Sequence, residues 1–220
     1  MTRFTRRGLL AATVGTVGAI AGCSGGSSQS EPAGQTETAT PLPGQPLSTP
    51  VAGDPEADVT VAVYEDYACP HCATYAESVF PQVREDYLTD GTVRYEFHDF
   101  PIPVDETVSW QAASAARAVQ DNSGAEAFFT YSKRLFANQN RLGPDTYADL
   151  TEGLDVDSET VRAAATGELY RPTVSSDREA GIDRGVQGTP TVFVDDEPVE
   201  WSEIAYEPVR SAIEDARSDG

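Results

Sequence analysis

Two cysteines separated by a proline and a histidine, Cys69-Pro70-His71-Cys72, stand where the apolar strand pattern Val59 to Tyr64 gives way to a helical run. A Gly-Thr-Pro-Thr turn, Gly188 to Thr191, precedes another short apolar strand. These residue types at this spacing point to thiol–disulfide redox chemistry. The thiolate is the reactive form of cysteine, and the first cysteine of a C-x-x-C at a helix start faces unpaired N–H groups and a positive dipole end that stabilise it. Cys69 is the expected nucleophile and Cys72 the resolving thiol.

The chain has one further cysteine, Cys23, which follows Ile20-Ala21-Gly22 in a pattern resembling the lipobox of exported lipoproteins. Ahead of it, Thr5-Arg6-Arg7-Gly8-Leu9-Leu10 and a modestly apolar stretch to Ile20 without acidic residues read as a twin-arginine export signal. That stretch is shorter than the roughly 20 apolar residues a bilayer span needs. Cleavage before Cys23 would leave it N-terminal and lipidated, anchoring the protein to the outer face of the cell membrane; ordinary signal cleavage with Cys23 as a bystander is the alternative. With Cys23 carrying lipid, Cys69 and Cys72 are the mature chain's only thiols. An exported protein that keeps one close pair uses it for chemistry rather than as a staple.

The chain carries 15 basic and 36 acidic residues, a formal charge of −21, and losing Arg3, Arg6 and Arg7 with the signal takes it to −24. Such a field disfavours nucleic-acid binding. Lys133 is the only lysine, and acid-rich, lysine-poor composition of this kind resembles proteins of high-salt organisms, where screening removes the self-repulsion.

Three segments are expected: a signal over residues 1–22, a flexible tether over 23–56, and a folded domain over 57–218. Ser24 to about Pro55 is rich in Ser, Gly, Thr, Gln and Pro with almost no large apolar residue, and such a stretch buries too little to fold. From Asp58 onward, Val59, Val61 and Val63 share one strand face, with Thr60, Ala62 and Tyr64 on the other. A helix with Pro70 in its first turn runs through Tyr75, Val79, Val83 and Tyr87, kinked at Pro81, and Val93, Tyr95 and Phe97 alternate as a second strand after the Asp90-Gly91 turn. Helical patterns fill residues 104–184, then Thr191 to Val194 and Pro198 to Trp201 flank a turn, and Pro208 opens a closing helix. The order β-α-β, helical insertion, β-β-α predicts an α/β protein of thioredoxin-like fold with an inserted helical domain.

On VAVYEDYACPHC (Val61 to Cys72), VRYEFHDFPIP (Val93 to Pro103), LFANQ (Leu135 to Gln139) and GVQGTPTVFV (Gly185 to Val194), the chain resembles the DsbA-like family of exported thiol:disulfide oxidoreductases, its lipoprotein branch in particular. The resemblance implies that Cys69 forms the mixed disulfide with substrate, that Cys72 resolves it, and that Pro70 and His71 tune the pair. It also implies a cis Pro190, with the Thr189 backbone open to a substrate strand. Implied partners are exported polypeptides with cysteine thiols and a membrane quinone-linked re-oxidase; no cofactor is implied. One departure stands out: many relatives place a buried glutamate six residues before the nucleophile, where this chain has Val63. Glu65, Asp66 and Glu96 are the candidate substitutes as proton relay, each also readable as a solvated or strand-end carboxylate.

Rival readings are a metal site, a reductase or isomerase, and a tethered peptide-binding or chaperone lipoprotein. A metal site built from Cys69, His71, Cys72 and His98 has poor geometry, because His71 lies inside the C-x-x-C loop; His98 reads more simply as a solvated strand-end residue. Histidine at the second intervening position favours oxidation, and no dimerisation segment of the kind an isomerase uses is visible ahead of the domain. Phe128, Phe129, Tyr131 and Phe136 could line a peptide groove, but at helical spacing they read as the insertion's own core.

Overall fold

The computed structural model describes residues 46–219. The expected signal and Cys23 lie outside the described residues.

Central strand β2 (Val59–Glu65) is buried except at half-buried Thr60 and pairs in parallel with β3 (Val93–Asp99), from Val59 opposite Val93 to Glu65 opposite Asp99. Two parallel strands need a crossover, and the one here runs through α1 (Pro70–Ser78) and α2 (Phe80–Val83). The expected kink falls at Val79, just before Pro81, whose missing N–H breaks the helical ladder. A π-helical turn, Arg84–Leu88, completes the segment. β4 (Thr191–Val194) lies antiparallel on the other side of β2, with Val192 opposite Val63, and β5 (Glu197–Pro198) extends that edge.

The opposite edge corrects the expected tether. Residues Val51–Gly53 form a strand, β1, antiparallel to β3, so the sheet order is β1-β3-β2-β4-β5. Ala52 is buried, Leu47 N–H donates to Thr173 Oγ1, and Ser48 O accepts from Gln120, so the folded domain begins well before residue 57. Three strand residues among prolines and glycines lack the apolar run that marks a strand; pairing with β3 orders them. Gly53 ends β1 at φ +82, where a Cβ would sit 2.2 Å from the Val93 carbonyl oxygen.

Between β3 and β4 come α3 (Glu106–Ala137), α4 (Pro144–Asp149), α5 (Ser158–Thr166) and α6 (Arg171–Asp183). Asp105 caps α3 by accepting from Val108 N–H, and Gly124, at φ 82 and ψ −178, splits α3 into two helical halves. The closing helix α7 spans Tyr206–Asp219.

Strand alternation decides which face each helix covers. Val61, Val63, Tyr95, Phe97, Val192 and Val194 pack with α1, the second half of α3, and Val209 and Ile213 of α7, whereas Ala62, Tyr64, Phe100, Val186 and Phe193 form a smaller cluster on the other face. Gly181 of α6 meets that second cluster, where a Cβ would lie 2.7 Å from the Phe100 ring. Phe128, Phe129, Tyr131 and Phe136 are buried in the main core, each contributing on the order of 1.5–3 kcal/mol. Phe129 and Phe136 also border a small pocket that they share with Glu65, Phe80 and Lys133.

One buried ion network ties the insertion to the sheet. Arg117 of α3, 0% exposed, donates through Nε to Asp99 Oδ2 of β3 at 2.6 Å and through Nη2 to Asp177 Oδ2 of α6 at 2.5 Å. The neighbouring His98 is not solvated as expected. It stacks on Tyr64 with ring centroids 4.6 Å apart and lies between Glu96, at 3.5 Å, and Asp177, at 3.8 Å. Burial alone would lower its pKa, but the two carboxylates outweigh that and raise it above the ordinary histidine value.

Candidate active site

Where β2 ends, the chain makes a tight turn that presents Cys69 as the N-cap of α1. Cys69 N–H donates to Asp66 O at 3.0 Å, and Cys69 itself is extended at φ −80 and ψ 120 before Pro70 starts the helix. Pro70 and His71 are exposed at the helix start, while Cys72, one turn in, is fully buried. Both cysteines are free thiols.

The Thr189–Pro190 peptide is cis, and Cys69 Sγ donates to the Thr189 carbonyl oxygen at 3.4 Å. Residues 120 positions apart in sequence therefore meet at one sulfur. This contact leaves Cys69 only 4% exposed, more covered than a helix-start nucleophile suggests.

The two thiols are electrostatically unequal. A hydrogen bond from the Cys72 thiol, helped by the Thr189 side chain and by the N–H groups of Cys72 and His71 at the helix start, outweighs burial and lowers Cys69 to about 5. Burial pushes Cys72 well above the ordinary thiol range, reinforced by the hydrogen bond to Cys69 and, when it is ionised, by Glu65. Once Cys69 ionises, a proton kept on Cys72 stabilises that thiolate and opposes a second ionisation.

The three carboxylate candidates separate clearly. Glu65 is 3% exposed, its Oε2 has no hydrogen-bond partner among the described residues, and its pKa is raised well above the usual value by burial and then by Cys69. It lies two residues beyond Val63 on β2 and so shares that strand face. Asp66 is also buried, but both its oxygens are committed: Oδ1 accepts from Ala68 N–H, and Oδ2 from Ile102 N–H and the Ser109 hydroxyl, all at 2.8 Å. Only its backbone N–H reaches the pair, at 3.4 Å from Cys72 Sγ.

Glu96 is excluded from the pair. It belongs to the other sheet face, bonded to Arg94 at 2.7 Å and facing His98, and these partners hold its pKa at about 2. His98 shares that face, so the four residues once available for a metal do not converge. Among the described residues no group of three His, Cys, Asp or Glu side chains has metal-binding geometry. No helix among them is long and apolar enough to cross a membrane.

A protein-family model described as Thioredoxin matches residues 46–215. Disulfide bond formation protein D of Bacillus subtilis is 27% identical over 183 residues, 78% of this chain and 79% of that protein. The crystal structure of oxidised BdbD from Bacillus subtilis superposes with a TM-score of 0.71 at 25% identity, covering 80% of this chain and 98% of that one. This chain is a DsbA-like thiol–disulfide oxidoreductase of the thioredoxin family. The DsbA-like domain is also similar to part of a larger protein: Na(+)/H(+) antiporter NhaA 3 of Salinispora tropica is 33% identical over 70% of this chain, which spans only 22% of that relative.

Glu65 stood in the sequence beside Asp66 and Glu96 as a candidate relay with nothing to separate the three, while Arg117 and Gln139 were not singled out. Arg117 carried a readable signal, a lone charge in an alanine-rich helical run. Gln139, inside the LFANQ stretch, had no assigned role.

Proposed function

We propose that the protein is an extracytoplasmic oxidase that forms disulfides in exported polypeptides through a Cys69–Cys72 dithiol/disulfide couple. The observation that carries this reading is the asymmetry of the pair: Cys69 caps the start of α1 opposite the cis Thr189–Pro190 peptide, where its thiolate is favoured, and Cys72 is buried one turn in. Whatever stabilises the reduced form makes the disulfide a stronger oxidant.

In the oxidising direction a substrate thiolate attacks Cys69 Sγ, the Cys69–Cys72 bond breaks, and Cys72 leaves as a thiolate that must be protonated. Glu65, whose proton burial holds more tightly than a free carboxyl would, donates that proton. A second substrate thiolate then attacks the substrate sulfur of the mixed disulfide and expels Cys69 as its stable thiolate. The substrate loses two electrons and the pair gains them. A membrane-bound re-oxidase removes them, and lipid on Cys23 would concentrate the enzyme at that surface. Pro70 and His71 tune the pair from the helix start, and Thr189 offers its backbone to the incoming strand. The acidic surface suits a high-salt exterior.

Equilibration of the purified protein with glutathione buffers in high salt tests the direction. A reduction potential near about −120 mV supports an oxidase, and one near about −270 mV supports a reductase instead.

Glu65→Gln is expected to slow turnover about 100-fold, the scale of a lost general acid–base group, with the Cys69 thiolate retained. It should also raise stability at neutral pH. Because Glu65 binds its proton more tightly folded than unfolded, its contribution is full below the ordinary carboxyl range and declines as pH rises towards the folded-state pKa. Urea unfolding of both proteins across pH in high salt measures this, and an identical pH slope for wild type and variant would contradict it.

A further inference from the structure

The helical insertion reaches the nucleophile's own backbone at one point. Gln139 opens a short 3-10 turn after α3, and its Nε2 donates to two carbonyl oxygens, Tyr67 O and Cys69 O, each at 2.8 Å. A primary amide nitrogen has two protons, and both are used. The Cys69 oxygen is also the first acceptor of α1, bonded to Ala73 N–H at 3.2 Å. Tyr67 is held from the same side, with its hydroxyl 2.7 Å from Ser132 Oγ of α3 and its ring 4.8 Å from that of Phe136. Asp66 fastens the start of the turn to Ser109 near the N-terminus of α3. Both halves of α3, joined at Gly124, therefore grip one turn of five residues.

We propose that Gln139 is a positioning residue that sets the orientation and reactivity of Cys69, coupling the inserted helical domain to the redox pair. The proposal rests on Cys69 being the nucleophile. Its two donors draw the Tyr67 and Cys69 carbonyls to one side of the turn, fix the peptide planes flanking the sulfur, and offset the negative ends of those dipoles close to a developing thiolate. Without a donor the oxygens keep their negative field, and the turn between Asp66 and Pro70 loses its hold on the insertion.

Three replacements separate this role from packing. Gln139→Met keeps length without a donor, Gln139→Glu sets acceptors against acceptors, and Gln139→Lys restores donors. The readouts, on the full mature chain, are the pH titration of the Cys69 thiolate by ultraviolet absorbance and the equilibrium with glutathione. The Met variant should titrate about one unit higher than wild type, a tenfold weaker acid, with Glu higher still and Lys at or below wild type. The glutathione equilibrium should move towards the disulfide in the same order. If Met does not fold, the Lys and Glu pair decides the matter. The proposal is overturned if the folded variants titrate like wild type, or if Met and Lys shift alike. A wild-type protein with no thiolate below neutral pH would instead remove the nucleophile reading itself.

Discussion

Cys69→Ser abolishes thiol–disulfide exchange while leaving the fold intact, and Cys72→Ala stops the reaction halfway. Serine preserves the size of the N-cap residue but has no accessible anion near neutral pH, so neither the mixed disulfide nor the internal disulfide can form. In Cys72→Ala, the Cys69 thiolate attacks oxidised glutathione, one glutathione leaves as thiolate, and the other stays on Cys69 because no second sulfur can displace it. Intact mass should show one glutathione per chain. The same variant should weaken Cys69 as an acid, since the Cys72 thiol supplies the largest stabilising contact to it. An active Cys69→Ser protein would sink the enzymatic reading and return the chain to the class of tethered binding proteins.

Arg117→Leu is expected to destabilise the protein by about 3–5 kcal/mol, the usual consequence of removing one partner from a buried ion network. The Asp99 and Asp177 oxygens that now receive Arg117 would be left facing an apolar side chain, and Asp99 Oδ1 already has no partner among the described residues. Burial raises the Asp99 pKa and Arg117 opposes that rise, so removing the guanidinium also shifts the loss towards higher pH, where the carboxyls must ionise. Salt should change the effect little, because the network is out of reach of the ions that screen surface pairs. Adding Asp99→Leu and Asp177→Asn to Arg117→Leu should recover much of the stability. Urea unfolding in high salt measures each step, and a single-variant loss below about 1 kcal/mol would show that water or a shifted partner satisfies the carboxylates.

Both experiments bear on how α3 is attached. Arg117 ties its first half to β3 and α6, and Ser132 and Gln139 tie its second half and the following turn to the residues around Cys69. A loosened first anchor should therefore be felt at the second.

Much of this molecule is local and so could be read from the chain alone. The valine alternation of β2, the cysteine pair at a helix start, the proline that kinks the crossover helix and the turn before β4 each depend on neighbours a few residues away, and the order of elements followed from them. Strand β1 could not be read this way, because three residues among prolines are ordered only by pairing with β3. Side-chain surroundings were equally out of reach. Glu65 and Glu96 are both acidic residues on inner strands, yet strand pairing places one in an apolar pocket beside two sulfurs and the other against an arginine and a histidine on the opposite face. Contact between Thr189 and Cys69, the hold of Gln139 on the nucleophile's turn, and the pairing of Arg117 with two aspartates all join segments far apart in the chain. Backbone periodicity specifies elements, but a proton's affinity depends on which charges and carbonyls the folded chain brings within a few ångströms of it, and only the tertiary structure decides that.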